Sequence, residues 1–253
     1  MKMFADDAMM WIEGKPEEID EMHDKTNCDI GNLLNYLNMC KLKVNVTKTK
    51  YMIIGSAIES RKQIVINSEL IEKVNSIKYL GIMIDSSLNF KDHLSFVQKK
   101  VSKKVYFIGR MRNKLCVEEK KLLYKSLVVP HIDYSSAILF MCNQSEINGL
   151  QKLQNRAMRT ILKEDRYASV TNMLNVLDLL TVQQRIVYNV LKLLYKAEYK
   201  RLPNYICDML KYVSESQPYD LRSNNQFRLP ATVSSFEQNS VICKGVKMHN
   251  ELT

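Results

Sequence analysis

Met1-Lys2-Met3-Phe4-Ala5-Asp6-Asp7-Ala8-Met9-Met10-Trp11 opens the chain, two adjacent carboxylates between two short apolar runs. The pattern predicts a β-hairpin with the acidic pair at its tip. Two like charges side by side in an apolar setting are costly unless a positive charge joins them. Hard oxygen ligands suit Mg²⁺, which makes Asp6 and Asp7 candidate metal ligands. The same pair also suits an ordinary turn, where short carboxylates accept backbone hydrogen bonds. The rest of the sequence decides between the two.

Outward from the hairpin, Pro16 and the acidic Glu17, Glu18, Asp20 and Glu21 suit the start of a helix. Ile19, Met22, Ile30, Leu33, Leu34, Leu37 and Met39 predict that it runs to about Cys40. An extended stretch at 42–45 and a polar turn at 45–49 follow. Strands are expected at 51–55, 64–66 and 70–71, and a longer one over 77–85, with Gly81 marking a bend or a close backbone approach. From Asp92 the period becomes helical: Leu94, Val97, Val101, Val105, Ile108, Met111 and Leu115 step by three or four. Further helices are expected at about 117–128, with Pro130 as a break, and at 145–162, 170–177, 181–200 and 203–212. After Ser214 the polar composition predicts irregular structure.

Composition narrows the function. The 253 residues carry a net charge of +10, which favours a polyanionic partner. The charge is uneven. Residues 1–60 hold 7 basic and 10 acidic side chains, residues 61–125 hold 15 and 6, and residues 126–253 hold 15 and 11. Lys99, Lys100, Lys103, Lys104, Arg110, Arg112 and Lys114 lie mostly off the apolar stripe of the helix expected from Asp92. Lys152, Arg156, Arg159 and Lys163 form a second basic stripe. Both are candidate nucleic-acid-binding faces. No apolar run reaches the roughly 20 residues of a membrane span. No export signal is evident, and the six cysteines include no C-x-x-C pair. An intracellular protein, nuclear or cytoplasmic, with free thiols is expected. The His and Cys spacing does not suit zinc.

In this order the elements resemble the C-terminal part, late palm plus thumb, of the reverse transcriptase of non-LTR, LINE-type, jockey-like retrotransposons. Phe4-Ala5-Asp6-Asp7 resembles the palm motif that holds Mg²⁺ in that family. Asn45-Val46-Thr47-Lys48-Thr49 resembles the motif that follows it. Tyr79-Leu80-Gly81, with Ile84-Asp85 and His93, is similar to the primer grip. Leu123 to Tyr134 and Leu150 to Ala157 resemble successive thumb helices. Tyr219-Asp220-Leu221-Arg222 and Gly245 to Leu252 look like the family's closing motifs.

The resemblance implies an α+β fold. A partial palm over 1–90, built of the hairpin, a long helix and short antiparallel strands, precedes an all-helical thumb-like domain over 91–212 and an irregular tail over 213–253. It implies an RNA-directed DNA polymerase, a nucleotidyltransferase acting on an RNA template and DNA primer duplex. Asp6 and Asp7 would hold Mg²⁺, and Lys48 would protonate or neutralise the leaving group. Tyr79, Leu80 and Gly81 would position the primer end. Lys48 equally suits a solvated turn, Tyr79 a core aromatic, and His93 packing at a helix start. The family carries a further Asp on an earlier palm strand and fingers that bind the nucleotide. With only Met1 to Phe4 ahead of Asp6, a truncated enzyme is expected, inactive without an N-terminal polymerase half. The alternative is a non-catalytic nucleic-acid-binding module or a relic open reading frame.

Overall fold

A computed structural model of the chain describes residues 2–55, 60–215, 226–232 and 235–251. The chain divides into two units, Met1–Tyr79 with Ile84–Ser87, and Leu80–Met83 with Leu88–Thr253. In the first, β1 (Lys2–Phe4) and β2 (Asp7–Met9) form an antiparallel hairpin pairing Phe4 with Asp7. Helix α1 (Ile19–Met39) follows, then β3 (Lys50–Tyr51), β4 (Val65–Ile66), β5 (Glu69–Leu70), β6 (Glu72–Lys73) and β7 (Ser76–Tyr79); of β8 (Ile82–Asp85), Ile84 and Asp85 belong to this unit and Ile82 and Met83 to the second. The second unit carries α2 (Lys91–Arg110), α3 (Val117–Leu127), α4 (Val129–Tyr134), α5 (Ser136–Met141), α6 (Gln144–Leu162), α7 (Val170–Leu177), α8 (Val182–Glu198), α9 (Asn204–Cys207), α10 (Ser235–Asn239) and α11 (Val246–Asn250).

The mixed helix and sheet composition agrees with an α+β protein. The strands are shorter than expected and pair only in twos. The expected set of antiparallel strands needs correction, because β3 and β6 run parallel, Lys50 opposite Glu72. The strand expected over 77–85 is a hairpin instead. Leu80 and Gly81, at φ 46° and 82°, turn the chain between β7 and β8. The break expected near Pro130 is present: α3 ends at Leu127, and Pro130 stands in the first turn of α4, where a missing N–H costs nothing. The helix expected over 203–212 is the single turn α9. The tail expected to be irregular contains α10 and α11, and Val246 is fully buried in the helical core. The Tyr219 to Arg222 motif lies outside the described residues. No helix among the described residues is long and apolar enough to cross a membrane.

The first unit has a small core of Ile30, Ile64, Ile66 and Ile71, lined by Leu34, Val44, Val46 and Tyr51. The polar side of α1 holds the 60–65 segment through its backbone. The His23 Nδ1–H donates to the Lys62 carbonyl at 2.8 Å, and Asn27 bonds both the Gln63 carbonyl and the Val65 N–H. The Ser60 hydroxyl and Arg61 N–H donate to Asp20 and hold its carboxyl below the usual range.

The second unit has a continuous core. The apolar stripe of α2 (Leu94, Val97, Val101, Val105, Ile108) lies against α6, whose Ile147, Leu150, Ala157, Met158 and Ile161 are almost solvent-free. Several polar groups inside it are paired. Gln151 and Gln154 on α6 bond the Val182 N–H and the Leu180 carbonyl at the start of α8. Asp133 on α4 accepts two bonds of 2.7 Å from Arg185 on α8 and a third from Asn189. Lys120 has no exposed surface at all. Its ammonium reaches the carbonyls of Ile161 (2.7 Å), Thr160 and Arg112 (both 3.4 Å). It therefore closes the C-terminal end of α6 and the turn after α2 at once.

Replacing Lys120 by Met keeps the aliphatic stem but strands those carbonyls. The expected loss is about 1–3 kcal/mol, read as a lower urea midpoint with an unchanged m-value.

Candidate functional site

The Leu80–Gly81 turn is the most constrained part of the candidate site. A left-handed backbone is unfavourable for a leucine, so Leu80 needs outside support. Tyr134, at the end of α4, supplies it by donating its hydroxyl to the Leu80 carbonyl at 2.5 Å. The Tyr134 ring lies where a Cβ on Gly81 would meet it at 3.5 Å. Two residues on, the Met83 N–H donates to Nδ1 of His93 at 3.3 Å. The hairpin turn is thus held by one side chain from α4 and one from the first turn of α2. His93 is almost fully buried, and its ring nitrogen anchors the Met83 N–H.

That hydrogen bond also sets the tautomer of His93. An Nδ1 that accepts a backbone N–H carries no proton, so the neutral ring has its proton on Nε2. Nε2 is buried without a protein partner. Beside it is a cavity of about 280 Å³, lined by Gly81, Phe96, Lys100, His131 and Tyr134 among others. Burial and the nearby Lys100 hold the His93 pKa below its ordinary value. Burial, Lys100 and Lys104 do the same for His131.

The basic residues of α2 and the turn after it divide into two groups. Lys99, Lys103, Arg110, Arg112 and Lys114 are exposed. Lys100 and Lys104 are half-buried, and the Lys100 ammonium lies 4.3 Å from the Phe96 ring centre. On α6, Lys152, Arg156 and Lys163 are exposed and Arg159 is half-buried. The two basic stretches meet at one end, because both Lys163 and Arg112 lie close enough to Lys120 to depress its ammonium pKa, after burial itself. Reading charge by periodicity finds the stripes but not this convergence.

In the first unit, Asp6 belongs to the turn and Asp7 to β2, with Ala5 at φ 52°. Both carboxylates are exposed, and the hairpin also exposes Met3, Phe4, Met9 and Trp11. Lys48 is exposed in a single helical turn, Val46–Lys48, capped by the Asn45 side chain. Tyr79 is half-buried at the end of β7, and Asp85 is buried. Among the described residues no three acidic, His or Cys side chains are grouped to hold a metal ion. Asp6 and Asp7 alone therefore do not fit Mg²⁺, which needs near-octahedral oxygen coordination.

Two outcomes follow from this geometry. Tyr134→Phe should loosen the Leu80–Gly81 turn at a cost of about 0.5–1 kcal/mol, seen as faster amide exchange at Ile82 and Met83. Between pH 6.5 and the lower folded values of His93 and His131, the unfolded chain binds more protons than the folded one. Their contribution to stability is therefore present above pH 6.5 and lost as pH falls through the folded values. Urea midpoints at pH 7.5 and at pH 5 should differ less in a His93→Asn, His131→Asn variant, which does not titrate there.

Similarity to characterised proteins is partial. The chain is 27% identical over 123 residues, 47% of its length, to the RNA-directed DNA polymerase from mobile element jockey of Drosophila funebris. It is 30% identical over 111 residues, 43% of its length, to the probable RNA-directed DNA polymerase from transposon X-element of Drosophila melanogaster. A third relative, from transposon BS of the same fly, is 29% identical over 120 residues. The aligned stretch spans only 13%, 12% and 13% of these relatives' lengths. No protein-family model and no solved structure matches the chain. Over nearly half its length, the chain is similar to the RNA-directed DNA polymerases of the jockey, X-element and BS retrotransposons.

Proposed function

We propose that the chain is the primer-holding part of a non-LTR retrotransposon reverse transcriptase, with its helical unit lying along an RNA template–DNA primer duplex. The observation that carries this reading is the Leu80–Gly81 turn, held from two helices by Tyr134 and His93. A primer end must be presented within a fraction of an ångström, and a turn tied at Leu80 and Met83 has that stiffness. The exposed Lys99, Lys103 and Arg110 on α2, and Lys152 and Arg156 on α6, would neutralise backbone phosphates. Such contacts are sequence-tolerant and follow the shape of the hybrid.

Asp6 and Asp7 would contribute two of the oxygen ligands of a polymerase metal site, which supplies Lewis-acid chemistry when complete. The other ligands would come from outside the described residues of this chain. Lys48, exposed on its turn, is free to reach a leaving phosphate in such an assembly. On this view the chain's own contribution is to bind and orient the duplex. Nucleotidyl transfer depends on the completed metal site.

The test is anisotropy titration of a labelled RNA–DNA hybrid at several salt concentrations. A Lys99→Ala, Lys103→Ala, Arg110→Ala variant should bind more weakly. Its slope of log affinity against log salt should be shallower by about 2–3. Unchanged affinity and slope would remove the duplex from the proposal.

A further inference from the structure

One surface of the helical unit is used neither by the core nor by the basic stripes of α2 and α6. On α8 and the residue that caps its C-terminus, Tyr188, Tyr195 and Tyr199 are 55%, 49% and 56% exposed. The opposite face, Val182, Ile186, Val190, Leu194 and Ala197, is buried. At 3.6 residues per turn the three tyrosines fall within about 40° of one another around the helix. They form a row about 16 Å long. The fold does not need them there, since the buried face already supplies the core.

Cations accompany the row. The Lys192 ammonium is 6.0 Å from the Tyr188 ring centre, and the Arg201 guanidinium is 6.0 Å from that of Tyr199. Lys196 and Lys200 are exposed beside them. The acidic residue nearby, Glu198, is engaged by the Tyr212 hydroxyl and by His249. Tyr195 and Tyr199 contact each other, ring centres 4.5 Å apart and tilted 40°, and make a two-ring platform. About 10 Å of helix separates this platform from Tyr188, and Lys192 stands in the interval.

We propose that this face of α8 is a track for single-stranded nucleic acid. Bases stack on the Tyr195–Tyr199 platform and on Tyr188, and Lys192 and Arg201 meet the intervening phosphates. Exposed aromatic faces spaced by cations suit unpaired bases, whose rings are free to stack whatever their identity. A duplex hides those faces, so it would gain only from the cations. A protein partner fits less well, because interface centres are depleted in lysine and this row is flanked by it. The track is independent of the duplex reading. It would serve a template strand that is not yet paired.

The experiment titrates the full chain with a labelled oligouridylate and, separately, with an RNA–DNA hybrid, for wild type, Tyr195→Ala, Tyr188→Ala and the matching Phe variants. Each Ala variant should lose about 5- to 100-fold in single-strand affinity. Each Phe variant should retain its affinity, and hybrid affinity should be unchanged throughout. Thermal unfolding of every variant checks that the fold persists. Wild type that does not bind the oligouridylate overturns the track, whatever the hybrid does. Failure to bind the hybrid alone overturns only the duplex reading. Ala variants that bind single strands like wild type overturn the track. So does an equal loss for both ligands, or a wild-type dimer on a sizing column that Tyr195→Ala abolishes while single-strand affinity stays constant.

Discussion

The buried Lys120 ammonium is the constraint around which the helical unit is arranged. A charge taken wholly out of water must recover its hydration from fixed dipoles, and here no carboxylate does so. Carbonyls of Arg112, Thr160 and Ile161 converge on it instead. These come from the end of α6 and from the turn after α2, so those two ends must meet wherever α3 places Lys120. The negative end of the α6 dipole adds to the stabilisation. Arg112 and Lys163 are drawn to the same spot, which concentrates positive potential at one end of the α2–α6 pair. The constraint that closes the core thus also shapes the charged surface.

The second organising contact is the grip on the Leu80–Gly81 turn. Its parts, a tyrosine hydroxyl on one carbonyl and a histidine ring nitrogen on one N–H, are individually modest. Together they fix a turn whose first residue has a left-handed backbone. The depressed pKa values of His93 and His131 belong to the same arrangement: burial lowers both, and Lys100 adds to the effect on each.

Much of this was legible in the sequence. The stripes of α1, α2, α6 and α8 have clear 3.6-residue periods, and the boundaries of these helices follow closely. The turn at Leu80 is legible only in part: Gly81 marks a bend and a close approach, but not a hairpin. Ile77 to Ile84 is apolar enough to pass for one strand, and the group that stabilises the turn lies 54 residues away at Tyr134. The burial of Lys120 has no sequence signal, since nothing local announces a cluster of carbonyls supplied from the end of α6 and the turn after α2. The tyrosines of α8 count as apolar in any periodic reading, so their outward position became visible only with Val190 and Leu194 seen buried opposite. The tail was misread because Val246 finds its apolar contacts in distant helices, not in its own polar neighbourhood.

The exposed hairpin has a consequence for the placement of its acidic pair. Two three-residue strands with Phe4 and Trp11 facing water have little to hold their shape. A two-stranded ribbon of this kind accepts another strand readily. The separation and aim of Asp6 and Asp7 are then properties of whatever pairs with the ribbon.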